Sequence, residues 1–415
     1  MVALFINSVV GAGIFGLPAR VHELLGTWAL LAYAACALLV LLVVLCFAEA
    51  GSRFERTGGP YLYACVAFGP VVGFQVGWLV WLTRVTAFAA LCNLLLDYLA
   101  HMAPALATGA TRVAAATLAT TAIAAVNLRG VRTAAIVANV FTIAKLVPLL
   151  LFVAAGLFFI EPARYVPQHA PGPDDFSAAV LLLVFAFTGF ETATVPAGEV
   201  RDPRRTLPFA ILASLAVIVP LYLLIQFVAI GTLPELASSS APLADAAGRF
   251  AGSVGTGVIV LGALVSITGT LNGLVLSAPR LLYAMAERGQ LPALLARTHP
   301  RYRTPVWAIA LTAGCMLALT LSGSFLTAVA LSTITRLLAY AATCIAVPVL
   351  RRREDDGAGQ AAFRVPAASW VVGSALLVIG WLILHASPLE LRNVALAMLA
   401  GALLMAVAGY RSPRA

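Results

Sequence analysis

Four ionisable side chains fall deep inside long apolar stretches: Arg84 in WLTRVTAF, Lys145 in FTIAKLVPLLLF, Glu191 in FTGFETATVP and Arg336 in LSTITRLLAY. Charge in such surroundings is costly; where it is kept, it marks a solute or ion path or a structural pair. Lys145 is the single lysine among 26 basic residues. A desolvated ammonium can release its proton whereas a guanidinium stays charged, so a lysine at this depth suits a proton carrier. The competing role is a tether from Lys145 to the hydroxyls of Ser266, Thr270 and Ser277, which share a helical face. Four roles are open to Glu191: gate, proton shuttle, partner of an arginine, or cap of a helix end. Arg84 shares a helical face with Gly77, Val80 and Phe88, and Arg336 either adds to its field or pairs with Glu191. With Lys145 charged, the four sum formally to a net charge of +2. Asp97 and Glu49 fall near segment ends and read as interfacial.

The elements that carry these residues are set by composition. Hydrophobic residues make up 62% of the 415 and charged residues only 10%, against about 25% charged in soluble domains. Apolar segments lie near 1–25, 27–51, 70–100, 111–128, 133–160 and 177–198, then near 206–231, 254–285, 305–322, 325–350, 368–386 and 389–409. A spanning helix needs roughly 20 such residues. The expectation is an all-α membrane protein of about twelve transmembrane helices, its main partner the lipid bilayer. Placing the N-terminus inside puts 17 arginines in inner loops and five in outer ones, the bias of a cytoplasmic-membrane protein with both termini cytoplasmic. The net charge of +9 thereby reports orientation and gives no support to nucleic-acid binding. The first stretch lacks the leader of a cleaved signal peptide, and with ten residues before Gly11 the first helix looks clipped. The six cysteines (36, 46, 65, 92, 315 and 344) sit in or beside apolar segments without disulfide or metal spacing. No metal or cofactor is expected.

Two segments look broken. In NSVVGAGIFGLP (7–18) three glycines fall within six residues, and FAFTGFET (185–192) is followed by Pro196 and Gly198. Each mid-helix glycine costs about 1 kcal/mol relative to alanine. Glycine can also serve close helix packing. The two interruptions, however, open the first and sixth segments, and matched breaks in two halves point to a transporter site. Opening the first helix frees N–H groups at the start of its second half, where a carboxylate is favoured. The ends of the first halves offer carbonyls to an ammonium. Together they suit the zwitterionic head of an amino acid.

The motifs INSVVGAGIFGLP (6–18) and GFETATVPAGEVRDPRRTLP (189–208) resemble the first- and sixth-helix signatures of the amino acid–polyamine–organocation superfamily. GGPYLYACVAFG (58–69) and PRLLYAMAERGQLP (279–292) fit the same resemblance. It implies a LeuT-like five-plus-five inverted repeat with discontinuous helices 1 and 6. Helices 1–5 would then lie in residues 1–160, helices 6–10 in 177–350, and helices 11 and 12 in 368–409. It also implies alternating access, with substrate held at Val10, Gly11, Ala12, Gly13 and Ile14 of the first break and at Gly189 of the second, under apolar lids from Phe185 and Phe187. Relatives often carry serine where Ala12 stands, so a hydroxyl contact to carboxylate is lost here. A fifth-helix lysine occupies, in some members, the place of a bound sodium; the resemblance thus makes Lys145 a proton-coupling group near Ser266 and Thr270. In arginine/agmatine exchangers, which the chain resembles only loosely, the stretch around Arg84 and Phe88 forms the side-chain pocket. A fixed cation there favours neutral or acidic substrates over cationic ones.

The expected function is secondary active transport of amino acids, with protons as the coupling ion. An exchanger is the alternative. A channel lacks a repeated filter motif, and an enzyme lacks a catalytic cluster, because His22, His101, His169, His299 and His385 fall at loops or helix ends. The apolar surface does not divide itself between lipid and a partner subunit, which leaves oligomeric state open.

Overall fold

The computed structural model describes residues 1–55, 58–129, 134–167, 170–194, 202–354 and 360–407, leaving aside the side chains of 12, 101, 102, 134–140 and 193. Pro196, Gly198 and Arg201 lie outside the described residues, as does the side chain of Ala12. Among the described residues fifteen α-helices follow in order: α1 Val2–Val9, α2 Ala12–Leu25, α3 Ala29–Gly51, α4 Pro60–Phe68, α5 Pro70–Met102, α6 Gly109–Leu128, α7 Ala134–Gly156, α8 Pro173–Phe187, α9 Phe190–Ala193, α10 Pro203–Thr232, α11 Pro242–Glu287, α12 Val306–Ser322, α13 Phe325–Arg352, α14 Ala368–Leu384 and α15 Pro388–Val407. Among the described residues there is no strand.

Proline, whose fixed φ and missing N–H suit the first helical turn, opens α4, α5, α8, α10 and α11. Ser324 and Thr327 form a reciprocal capping box at the start of α13. Asp202, in the left-handed region with φ 46°, stands at the N-cap position of α10 without a side-chain cap bond. Within α11, Gly252 has φ 60° and bends the helix.

Among the described residues nine helical stretches are long and apolar enough to cross a membrane, and α12 and α14 are shorter apolar helices. Length alone therefore falls short of twelve. One reason is that α1 has only eight residues, cut off by the break after Val9. Another is that α2 and α3 run as one apolar stretch through the tight turn Gly26–Trp28. The segment 58–69, which falls between the apolar segments 27–51 and 70–100, contains α4. Its Tyr61 packs so closely on α5 that a Cβ at Gly77 would lie 2.8 Å from that ring.

The core is built around α5, whose apolar stretch is 94% buried and packs on α4, α11, α12 and α13. Beside it, α2 packs on α8 and α3 packs on α8 and α10. A Cβ on Gly13 would stand 2.6 Å from the Ala186 Cα, so only glycine lets α2 and α8 approach this closely.

Candidate functional site

Both chain breaks fall where these helices meet. Val10 (φ −70°, ψ 93°) and Gly11 (φ −130°, ψ −150°) are extended between α1 and α2. Thr188 is likewise extended after α8, and Gly189 turns the chain with φ 120°. The breaks touch: a Cβ on Gly189 would lie 2.1 Å from the Ser8 carbonyl oxygen.

An eight-residue helix leaves C-terminal carbonyls unmatched, and here a cation takes them. The Lys145 Nζ, fully buried, donates to the Asn7 carbonyl at 3.0 Å and the Val10 carbonyl at 2.8 Å. Ser266 Oγ donates to the same Val10 oxygen at 3.4 Å, and the Tyr222 hydroxyl reaches Val9 O at 3.3 Å. Lys145 thus ties α7 to the end of α1; the tether to the hydroxyls of α11 does not form. Thr270 Oγ1 donates to its own helix at Ser266 O (2.9 Å) and faces Gly11.

At the second break Glu191 holds the bend. Its Oε2 accepts the Gly189 N–H at 3.0 Å and the Tyr340 hydroxyl at 2.8 Å. Arg336 Nε lies 3.1 Å from Glu191 Oε1, an ion pair at contact distance although that N–H is not aimed at the oxygen. Arg336 also donates to Thr188 Oγ1 and lies over the Phe185 ring at 5.9 Å. One carboxylate therefore caps the break and neutralises one arginine.

Arg84 has no such partner. It is 2% exposed and makes one hydrogen bond, from Nη1 to the Ser277 carbonyl at 3.1 Å. Its Nε and Nη2 have no partner among the described residues.

A cavity of about 80 Å³ lies between the breaks, with Gly11, Gly13, Phe185, Gly189, Thr270, Arg84 and Arg336 among its walls. Val10, Ile14, Phe88 and Phe187 are buried behind it. Val10 meets Lys145 and Ser266, while Phe187 stacks at an angle on Tyr222 with ring centres 5.0 Å apart. Asn7, Ser8 and Thr192 line the cavity without having been singled out in the sequence. A roomier recess of about 300 Å³ lies at the far end of α2, lined by His22, Arg164 and the exposed Val166 and Pro234. It includes neither break and none of the four central charges, so the smaller cavity is the candidate site.

Glu49 corrects the interfacial reading. It is fully buried because the chain beyond α13 folds back over the end of α3. Arg351 binds it with two bonds (Nε to Oε1 2.7 Å, Nη2 to Oε2 2.6 Å), Arg53 adds a third at 3.0 Å, and the Val365 N–H a fourth at 2.8 Å. Glu354 extends the cluster to Arg53 at 2.9 Å and Arg364 at 2.6 Å. Removing one partner of a buried ion pair leaves an uncompensated charge, so Glu49→Gln is expected to destabilise the protein by about 3–5 kcal/mol. Thermal unfolding in detergent checks this; a midpoint unchanged from wild type would show that the cluster adds nothing. Asp97, by contrast, does sit at a helix end, paired with Arg112 at 2.9 Å and 36% exposed.

A helical, multi-pass membrane protein whose two chain breaks face one charged cavity belongs to the class of membrane transport proteins. The Amino acid permease family model matches residues 1–407, so the chain is a member of that family, within the amino acid–polyamine–organocation superfamily. It is similar to the methylthioribose transporter of Bacillus subtilis, 28% identical over 88% of this chain and 82% of that one. It is similar to the serine/threonine exchanger SteT of the same organism, 32% identical over 74% of this chain and 72% of that one. It also resembles cationic amino acid transporter 4 of Mus musculus, 28% identical over 84% of this chain and 58% of that one.

Proposed function

We propose that this protein moves an amino acid across the cytoplasmic membrane by alternating access, coupled to protons, with neutral or acidic substrates favoured over cationic ones. The observation that carries the reading is the central cavity shared by both breaks, with Lys145 fastened to the carbonyl end of α1. The reading includes twelve spans in two inverted units of five, residues 1–160 and 177–350, with 368–409 outside them, on the strength of the sequence resemblance, and both termini cytoplasmic, on the strength of the arginine bias. In it, α1 and α2 form the first span and α8 and α9 begin the sixth. The N–H groups opening α2 receive the substrate carboxylate. Because Lys145 already takes the Asn7 and Val10 carbonyls, fewer α1 carbonyls remain for the substrate ammonium than the sequence suggests. A charged ammonium holds those carbonyls by charge-assisted bonds, which weaken when it gives up its proton; that change ties the position of α1 to protonation.

The names of the relatives span a sugar derivative, hydroxyl amino acids and cationic amino acids, so the substrate preference rests on Arg84 alone. Exchange is the second reading, favoured by the likeness to a serine/threonine exchanger. The test is uptake of labelled acidic, neutral and basic amino-acid pools into sodium-free proteoliposomes under an inward proton gradient. Accumulation of the acidic or neutral pool that collapses with the gradient is the expected result. Uptake of only the basic pool would overturn the preference. Uptake that ignores the gradient but needs internal amino acid would replace symport with exchange.

A further inference from the structure

We propose that the central cavity takes an amino acid whose side chain ends in a carboxylate, with Arg84 as the specificity-determining partner of that second carboxylate. The inference rests on the transport reading above and narrows it to one substrate class.

Among the described residues, Arg336 lies against Glu191, and Arg53 and Arg351 lie against Glu49. Arg84 is as deeply buried, yet its hydrogen bond goes to a carbonyl oxygen, Glu191 acts on it only beyond contact distance, and two of its nitrogens face no acceptor among the described residues. A desolvated cation without a counter-charge in contact is unfavourable. Its side chain lines the cavity, so an anion placed there meets donors that are already in position. A planar guanidinium with free N–H groups suits a carboxylate held by two parallel bonds.

An ordinary amino acid brings one carboxylate, which α2 can hold instead. The helix has 14 residues, no side chain caps its start, and Gly11 and Gly13 at that start line the same cavity. With that carboxylate on the helix N-terminus, Arg84 is left for another. The charge count agrees. Glu191 touches Arg336 and acts on Arg84 only at longer range, and Lys145 is engaged with α1 outside the cavity wall, so one carboxylate stands against two guanidinium groups and the site keeps a formal charge of +1. Size agrees as well. About 80 Å³ is far below the 300–1,000 Å³ typical of pockets for drug-sized ligands, so it suits a small solute.

The test compares isosteres that differ in charge alone. Binding of L-aspartate against L-asparagine, and of L-glutamate against L-glutamine, is measured on the purified full chain in detergent, and uptake of the same four is measured in proteoliposomes. The acids are expected to bind at least roughly tenfold tighter than the amides, because a site built for a charged group rejects the analogue lacking it. Arg84→Gln should remove that preference by weakening acid binding while amide binding changes little; Arg84→Lys should keep part of it. Equal or better binding of the amides, with uptake intact, overturns this inference and leaves the transport reading standing. An Arg84→Gln variant that weakens acids and amides alike assigns Arg84 a structural role and overturns it too. Failure of any amino acid to bind or move sinks the transport reading itself. The wild-type comparison needs no variant to fold.

Discussion

Gly189→Ala is expected to abolish uptake and to lower the yield of folded protein sharply. At φ 120° any side chain is strained, which costs about 1–3 kcal/mol by itself. The new methyl would also stand 2.1 Å from the Ser8 carbonyl oxygen, 2.8 Å from Ser8 C and 3.3 Å from Val9 N. All three are backbone atoms, so no rotamer change relieves the clash; α1 and the bend after α8 would have to separate. That separation breaks the wall of the cavity and pulls on the Val9 and Val10 carbonyls that Tyr222 and Lys145 hold. A suitable control is Gly314→Ala in α12, where an added Cβ meets nothing within 4 Å and helix propensity improves by about 1 kcal/mol. Monodispersity after extraction and uptake per unit of folded protein should collapse for the first variant and hold for the second. Wild-type uptake by Gly189→Ala would show that the two breaks need not touch.

Replacing Lys145 has the second-largest expected effect. Met at this position fills similar space and removes the charge, so two carbonyls at the end of α1 lose a charge-assisted partner worth about 1.5–3 kcal/mol per bond. Arg keeps a charge but cannot release it at any working pH. If protonation of Lys145 drives coupling, both variants should lose proton-driven accumulation by roughly tenfold or more, the scale of about 1.4 kcal/mol. Exchange of internal for external substrate needs no net proton movement, and should fall less. The pH dependence of uptake should flatten in both variants. A purely mechanical role predicts the opposite pattern: exchange and accumulation fall together, and the pH profile keeps its shape. Comparing the two transport modes in the same vesicles separates these outcomes.

The breaks were legible in the sequence because glycine and extended residues leave a local signature, and each break lies within a few residues of its cause. The depth of Lys145 was equally plain, since a lone ammonium in FTIAKLVPLLLF has no other reading. Its partners were not. They are backbone carbonyls 135 and 138 residues away, and carbonyls carry no sequence mark, whereas the hydroxyls of Ser266 and Thr270 do. Phe88 misled for a different reason. It shares a helical face with Arg84, but α5 is enclosed nearly all round, so facing the same way does not mean lining the same space. For Glu49, position along the chain marked a helix end, but the fold-back of residues 363–365 that buries it is a long-range event invisible to any local window.

The Glu49 cluster also bears on how this sequence can drift. One carboxylate serves two guanidinium groups and a backbone N–H, and those groups come from the ends of α3 and α13 and from the chain beyond α13. Loss of either arginine leaves the carboxylate with its remaining partners, so such changes can accumulate singly and be repaired later. Loss of Glu49 removes the contact carboxylate of Arg351 and leaves Arg53 to Glu354 alone, so one change disturbs both arginines. Position 49 should therefore be nearly immutable in a deep mutational scan, while 53 and 351 tolerate substitution one at a time and fail only in combination.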